Sequence, residues 1–479
     1  MKTVTLYILV LGVFGLGIWL TFEQGQKLSS PLVSNQPAKL MSQTDSLNAD
    51  PSAGLFTNLR TNLQDPLPRL FLQLIIVLFV ARMAGVVAAK FRQPAVIGEM
   101  IAGILLGPSL LGWMSPDIFH FIFPASSLGS LRLLSQIGVC LFMFVVGMEL
   151  NITELKQQAK TAVLVSQVSI LFPYLLGAAS ALFLFPTLAG TTTKFPVFAL
   201  FIGISMSITA FPVLARILQE RGLTQTALGA TAIACAATGD VAAWSILAFV
   251  VAIAGAQSMV ATSFTIGLVL LFVCLMLFWV QPRLPQYFDY VSRKSHGSGK
   301  GVMASALVFL FMSALATETM GIHALFGSFL AGLVIPARGE LREFLKVRLE
   351  NFSAVFLLPL FFAFTGLRTQ IGLLSGPADW MICLALILIA TIGKLGGAMA
   401  AARLTGINWI DSFALGALMN TRGLIELIAL SIGYDLGILS PRIFAMLVIM
   451  TLVTTCMTGP LLSFSDLLRN RKALATIPT

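Results

Sequence analysis

Asp240 is the only formally charged residue between Gly222 and Pro282, and it stands at the middle of an apolar run from Gln225 to Ala256. A carboxylate at the centre of a membrane helix costs roughly 2.5–3.5 kcal/mol even on lenient scales, so such a residue usually has a partner and a task. As a hard oxygen ligand it can hold a partly dehydrated alkali cation, and as an acid it can hold a proton instead. A single group that accepts either but not both is the minimal exchanger. The blander reading is a structural ion pair that joins helices. The expected charge partner is Lys394, within Ile392-Gly393-Lys394-Leu395-Gly396-Gly397, where the glycines allow another helix to approach. A snorkelling lysine is the alternative, but Lys394 lies nine residues from Arg403, about 13 Å along a helix, which is further than its stem reaches comfortably.

Two apolar runs are interrupted near their middles. The first reads Gly203-Ile204-Ser205-Met206-Ser207-Ile208-Thr209-Ala210-Phe211-Pro212, with hydroxyls at every second residue before a proline that removes a donor and disfavours helix ahead of it. The second reads Leu418-Met419-Asn420-Thr421-Arg422-Gly423-Leu424-Ile425-Glu426. Lipid forbids such breaks unless the freed backbone groups line a protein cavity or a water path. Ser207 and Thr209 are therefore candidate ion ligands beside Asp240. Pro212, Asn420, Arg422 and Glu426 are expected to shape the breaks, with Arg422 and Glu426 neutralising half-helix ends rather than binding the ion. Glu99 and Glu149 fall near span ends and read either as interfacial acids or as gating residues.

These residues must be held by membrane helices, because 57% of the 479 residues are hydrophobic and only 10% are charged, more apolar surface than a soluble domain can hide. Runs long enough to span a bilayer recur from about residue 66 to 466 and number about thirteen, predicting an all-α membrane domain over residues 66–472. Basic residues at Lys90 and Arg92, Lys156 and Lys160, Arg216 and Arg221, Arg283 to Lys300, Arg338 to Arg348, Arg403 and Arg469 to Lys472 fall in alternate connections. The other connections carry little more than Lys194, Arg368 and Arg442. By the positive-inside rule the basic connections and the C-terminus are cytoplasmic, so the formal charge of +10 is topology and not a nucleic-acid face. On this assignment the two broken spans, the fifth and the twelfth, run in opposite directions, as an inverted repeat with an ion site at the crossing requires. Residues 1–22 read as an uncleaved signal anchor or a signal peptide, and residues 23–65 as a polar exposed linker. Cys140, Cys235, Cys274, Cys383 and Cys456 are scattered singly and read as small core residues. No nucleophile–base pair, metal cluster or phosphate loop supports an enzyme, and no cofactor is expected.

The chain resembles the monovalent cation:proton antiporter 2 family, which includes Kef-like potassium efflux proteins and plant cation/proton exchangers. The resemblance spans about residues 66 to 466. It rests on Gln93-Pro94-Ala95-Val96-Ile97-Gly98-Glu99 followed by Leu106-Gly107-Pro108-Ser109-Leu110, on Phe142 to Leu150, on Thr209-Ala210-Phe211-Pro212-Val213-Leu214-Ala215-Arg216, and on Asn420-Thr421-Arg422-Gly423 with Glu426. It implies a core domain that moves against a dimerisation domain, hence a homodimer. It also implies an ion-binding aspartate on the sixth span and a basic residue near it on the eleventh, positions that Asp240 and Lys394 match. One departure stands out, since the family usually has Asp or Asn before that aspartate and this chain has Gly239. The expected function is exchange of protons for Na⁺ or K⁺ across a cell membrane, most simply the inner one, with proton and cation competing for Asp240. The alternatives are a channel-like potassium efflux protein and a transport-inactive sensor or assembly subunit of the same fold.

Overall fold

A computed structural model describes residues 65–91, 93–149, 159–190, 193–223, 226–255, 259–294, 299–336 and 340–475, together with 15–17, 19–21, 23, 62 and 63. Between its ends, the linker expected over 23–65 lies outside the described residues. So does most of the segment expected to form the anchor, although residues 15–17 and 19–21 are helical and Gly17 lies against Leu175. Elsewhere the described chain is almost entirely helical, with a single isolated bridge between Ala189 and Leu439.

Helix starts follow local chemistry. Pro66, Pro377 and Pro441 each open a helix, where the missing N–H is unneeded and the fixed φ suits the first turn. The first bundle holds α1 (Pro66–Lys90), α2 (Ala95–Leu106) and α3 (Leu128–Glu149). The chain then enters a second bundle through α4 (Ala159–Leu188), α5 (Phe195–Ser207), α6 (Phe211–Glu220) and α7 (Ala227–Gly255). A peripheral helix α8 (Met259–Cys274) and an amphipathic α9 (Leu284–Lys294) lead back to α10 (Gly299–Thr319), α11 (Ala324–Leu333), α12 (Glu340–Phe352) and α13 (Leu358–Arg368) of the first bundle. The second bundle is completed by α14 (Pro377–Thr391), α15 (Gly397–Leu404), α16 (Trp409–Met419), α17 (Leu424–Asp435) and α18 (Pro441–Ala475). Main packing runs within each group: α1 on α2, α13 on α2 and α3, and α11 on α3 and α10; then α4 on α5, α7 and α15, and α18 on α14, α16 and α17.

Among the described residues, ten helices are long and apolar enough to cross a membrane, and α5, α11 and α16 are shorter apolar helices. Three spans contain π-helical turns, at Leu275–Val280, Ser353–Leu357 and Ile392–Gly396. Cys140, Cys235 and Cys383 are buried, whereas Cys274 is exposed because α8 sits at the periphery, and Cys456 is half-buried. The two bundles meet where Trp244 of α7 stacks on Phe329 of α11, ring centroids 5.9 Å apart.

Candidate functional site

Both breaks occur where the sequence placed them. Ser207 ends α5, Ile208 and Ala210 are extended, and α6 begins at Phe211 with Pro212 in its first turn. Met419 ends α16, and Asn420 to Gly423 separate it from α17. The breaks cross, because the Ala210 N–H donates to the Thr421 carbonyl at 3.0 Å and the Thr209 hydroxyl to the Met419 carbonyl at 3.2 Å. Gly423 has φ 157° and ψ −130°, a conformation that suits glycine, and a Cβ there would come 3.1 Å from Val213.

The last carbonyls of α5 have no partner within their own helix and carry the negative end of its dipole. Two fully buried cations take them. Arg422 donates to the Ser205 carbonyl at 2.7 Å and to the Met206 carbonyl at 2.6 Å, and Lys394 donates to the Ser207 carbonyl and, at 3.0 Å, to that of Ser169 on α4. Arg422 also pairs with Glu426 at 3.1 Å, which places an acid in the first turn of α17, at the positive end of that dipole. Arg422 thus serves the broken helix opposite to its own, which its position in the sequence did not disclose. From α18, the Thr455 hydroxyl braces the second break by donating to the Arg422 carbonyl at 2.9 Å.

Asp240 stands apart from this network. It is 1% exposed on α7, which packs against α4, α5, α6 and α16, and neither carboxylate oxygen has a hydrogen-bond partner among the described residues. Lys394 acts on it electrostatically, but its hydrogen bonds run to backbone carbonyls and no ion pair joins the two within 4 Å among the described residues. The Ser207 hydroxyl is turned to the Ile170 and Gly203 carbonyls at 3.0 and 2.8 Å. Asn420 is fully buried with both side-chain polar atoms unpartnered. Glu149 pairs with Lys346 at 2.9 Å, and Glu99 lies half-buried on α2, so both belong to the first bundle and are separate from the crossing. Two residues that the sequence did not single out are Ser166 and Ser169 of α4, both fully buried with unpartnered hydroxyls.

The crossing of two half-helices and the buried carboxylate of Asp240 on α7, which packs against them, are the features to set beside known proteins. Residues 75–465 match the family described as sodium/hydrogen exchanger, transmembrane. The chain belongs to this family. Its relatives include the Na(+)/H(+) antiporter NhaS4 of Synechocystis sp., 42% identical over 81% of this chain and 95% of that one. The K(+)/H(+) antiporter 1 of Saccharomyces cerevisiae is 34% identical over 87% of this chain but only 49% of its own length. Among solved structures, the sodium proton antiporter MjNhaP1 from Methanocaldococcus jannaschii shares the fold with a TM-score of 0.56 at 16% identity, covering 83% of this chain and 97% of that one.

Proposed function

We propose that this cation/proton antiporter exchanges H⁺ for Na⁺ or K⁺ by alternating access, with proton and cation competing for Asp240. The observation that carries the reading is the Asp240 carboxylate itself, buried with both oxygens unbonded among the described residues, while Lys394 is committed to backbone carbonyls and Arg422 to backbone carbonyls and Glu426. An oxygen pair so placed is free to take a proton on one side of the membrane and a dehydrated cation on the other. Thr209, whose hydroxyl lies at the crossing, is the further oxygen ligand of this reading. Lys394 and Arg422 fix the half-helix ends so that the crossing keeps its shape whichever ion is bound.

The second bundle, with the site, is the moving core in this proposal, and the first is the dimerisation half of a homodimer. Support for this division comes from the way packing partitions the helices. The alternation of basic connections supports a multi-pass protein of the cell membrane with a cytoplasmic C-terminus, and the apolar run from Val4 to Leu20 an uncleaved anchor. The test is purified protein in liposomes under an imposed proton gradient, challenged in turn with Li⁺, Na⁺ and K⁺. Cation-dependent proton release that is lost in Asp240→Asn is expected. Cation flux indifferent to the gradient would instead indicate a channel, and exchange that survived Asp240→Asn would remove Asp240 as the carrier.

A further inference from the structure

We propose that Ser166 supplies to the transported cation the oxygen ligand that Gly239 lacks, and thereby sets the cation affinity of the site. The proposal rests on the reading of Asp240 as carrier. Gly239 precedes Asp240 on α7, and a Cβ built at Gly239 would lie 3.3 Å from the Ser166 hydroxyl oxygen, its nearest neighbour, with Ile170 next at 3.8 Å. The Ser166 hydroxyl therefore stands where the side chain of a larger residue at 239 would begin.

The state of that hydroxyl points to a ligand. Serine and threonine inside helices ordinarily satisfy themselves on the carbonyl four residues back, as Ser205, Ser207 and Thr238 do here at 2.7 to 2.8 Å. Ser166 does not, although it is fully buried. Native interiors rarely tolerate an unbonded buried hydroxyl without a reason. One turn on, Ser169 is also buried with its hydroxyl unbonded, and its carbonyl holds Lys394. Ser166 thus brings a neutral oxygen against the helix that carries Asp240, whose own oxygens are unbonded.

An alkali cation that sheds water needs several oxygens, but only one must be charged to balance it. A hydroxyl on α4 in place of a carboxylate or amide at 239 adds an oxygen without a second negative charge and without a further group to titrate. The two positions also compete for room, because a side chain at 239 would have to displace the Ser166 hydroxyl by a few tenths of an ångström.

The experiment is cation-dependent exchange by the full chain in liposomes, with direct titration of the detergent-solubilised protein by Na⁺ and K⁺ in a calorimeter. For Ser166→Ala the expected result is a KM and a Kd for the cation raised about tenfold, a loss of about 1.4 kcal/mol of binding, with the maximal rate within about twofold. Because proton and cation compete, the pH at which protons halve the exchange at a fixed saturating cation concentration moves upward by up to about one unit, in step with the rise in Kd. Ser166→Thr keeps the hydroxyl and restores the affinity. A folded Ser166→Ala with unchanged KM, Kd and pH profile overturns the proposal. If Ser166→Ala does not fold, the double variant Gly239→Asn with Ser166→Gly decides: cation affinity near that of the wild type supports the exchange of one ligand for the other, and its loss in a folded protein overturns it. Wild-type protein that exchanges no cation would instead remove the reading on which the proposal rests.

Discussion

Lys394 was expected to answer Asp240 charge for charge, and its geometry changes what substitution of either should do. Its ammonium holds two carbonyls that exist whether or not Asp240 is charged. Asp240→Asn should therefore fold without a compensating change at Lys394, and comparison of elution profile and melting temperature with the wild type checks this. Lys394→Met strands two buried acceptors, each worth about 1–3 kcal/mol, and should lower the melting temperature well below that of Asp240→Asn. Asp240, Lys394 and Arg422 were legible in the sequence because charge in an apolar run is costly and therefore conspicuous. Ser166 and Ser169 were not, since a serine in an apolar helix usually bonds its own backbone and carries no signal. Nor could the partner of Lys394 be read, because side chains are written in a sequence and free carbonyls are not.

At the scale of elements, the crossing depends on each broken helix satisfying the other. Arg422→Ala leaves the Ser205 and Met206 carbonyls and the Glu426 carboxylate without their donor, the removal of one partner of a buried network, which costs about 3–5 kcal/mol. The expected outcome is a marked fall in melting temperature and in yield of folded protein. Gly423→Ala should cost less, about 1–3 kcal/mol, through a backbone conformation that alanine rarely adopts. The breaks themselves were plain from Pro212, Gly423 and the polar residues between them. The π-helical turn at Ile392–Gly396 was not, because an extra residue per turn leaves apolar composition unchanged.

Across the whole molecule, the end of the bundles opposite the basic connections is joined by Asp435 of α17. Asp435 pairs with Arg368 of α13 at 2.6 Å and with Arg132 of α3 at 3.2 Å, beside a cavity of about 30 Å³ lined in part by Ser135, Gln136, His323 and Ser431. If the bundles move relative to each other, this joint must open in each cycle. Cross-linking Arg368→Cys to Asp435→Cys with a short bifunctional maleimide, in a Cys274→Ser background, should stop exchange, while reaction at either single cysteine should not. Burial pushes the His323 imidazole below its ordinary 6.5, against the opposing pull of Glu318 and Asp435, while Arg132 adds to the depression. The folded end therefore binds this proton less readily than the unfolded chain does. Stability from this group is complete above about pH 6.5 and declines as the pH falls toward the depressed value. Thermal melts between pH 7.5 and 5 should show this loss in the wild type and less of it in His323→Gln. With one carboxylate at the site and a lysine held by backbone carbonyls whether or not Asp240 is charged, exchange of one proton for one cation is expected. A rate in liposomes that follows a potential set with valinomycin and K⁺, with Na⁺ or Li⁺ as substrate, would overturn that. The grip of Lys394 and Arg422 on main-chain oxygens has an evolutionary consequence. Every residue presents the same carbonyl, so the anchorage of the crossing makes no demand on which side chains stand at 205 to 207. Descendants of such a scaffold can exchange those side chains, and with them ion preference, without rebuilding the joint, a latitude that suits a lineage in which sodium and potassium antiporters both bear its likeness.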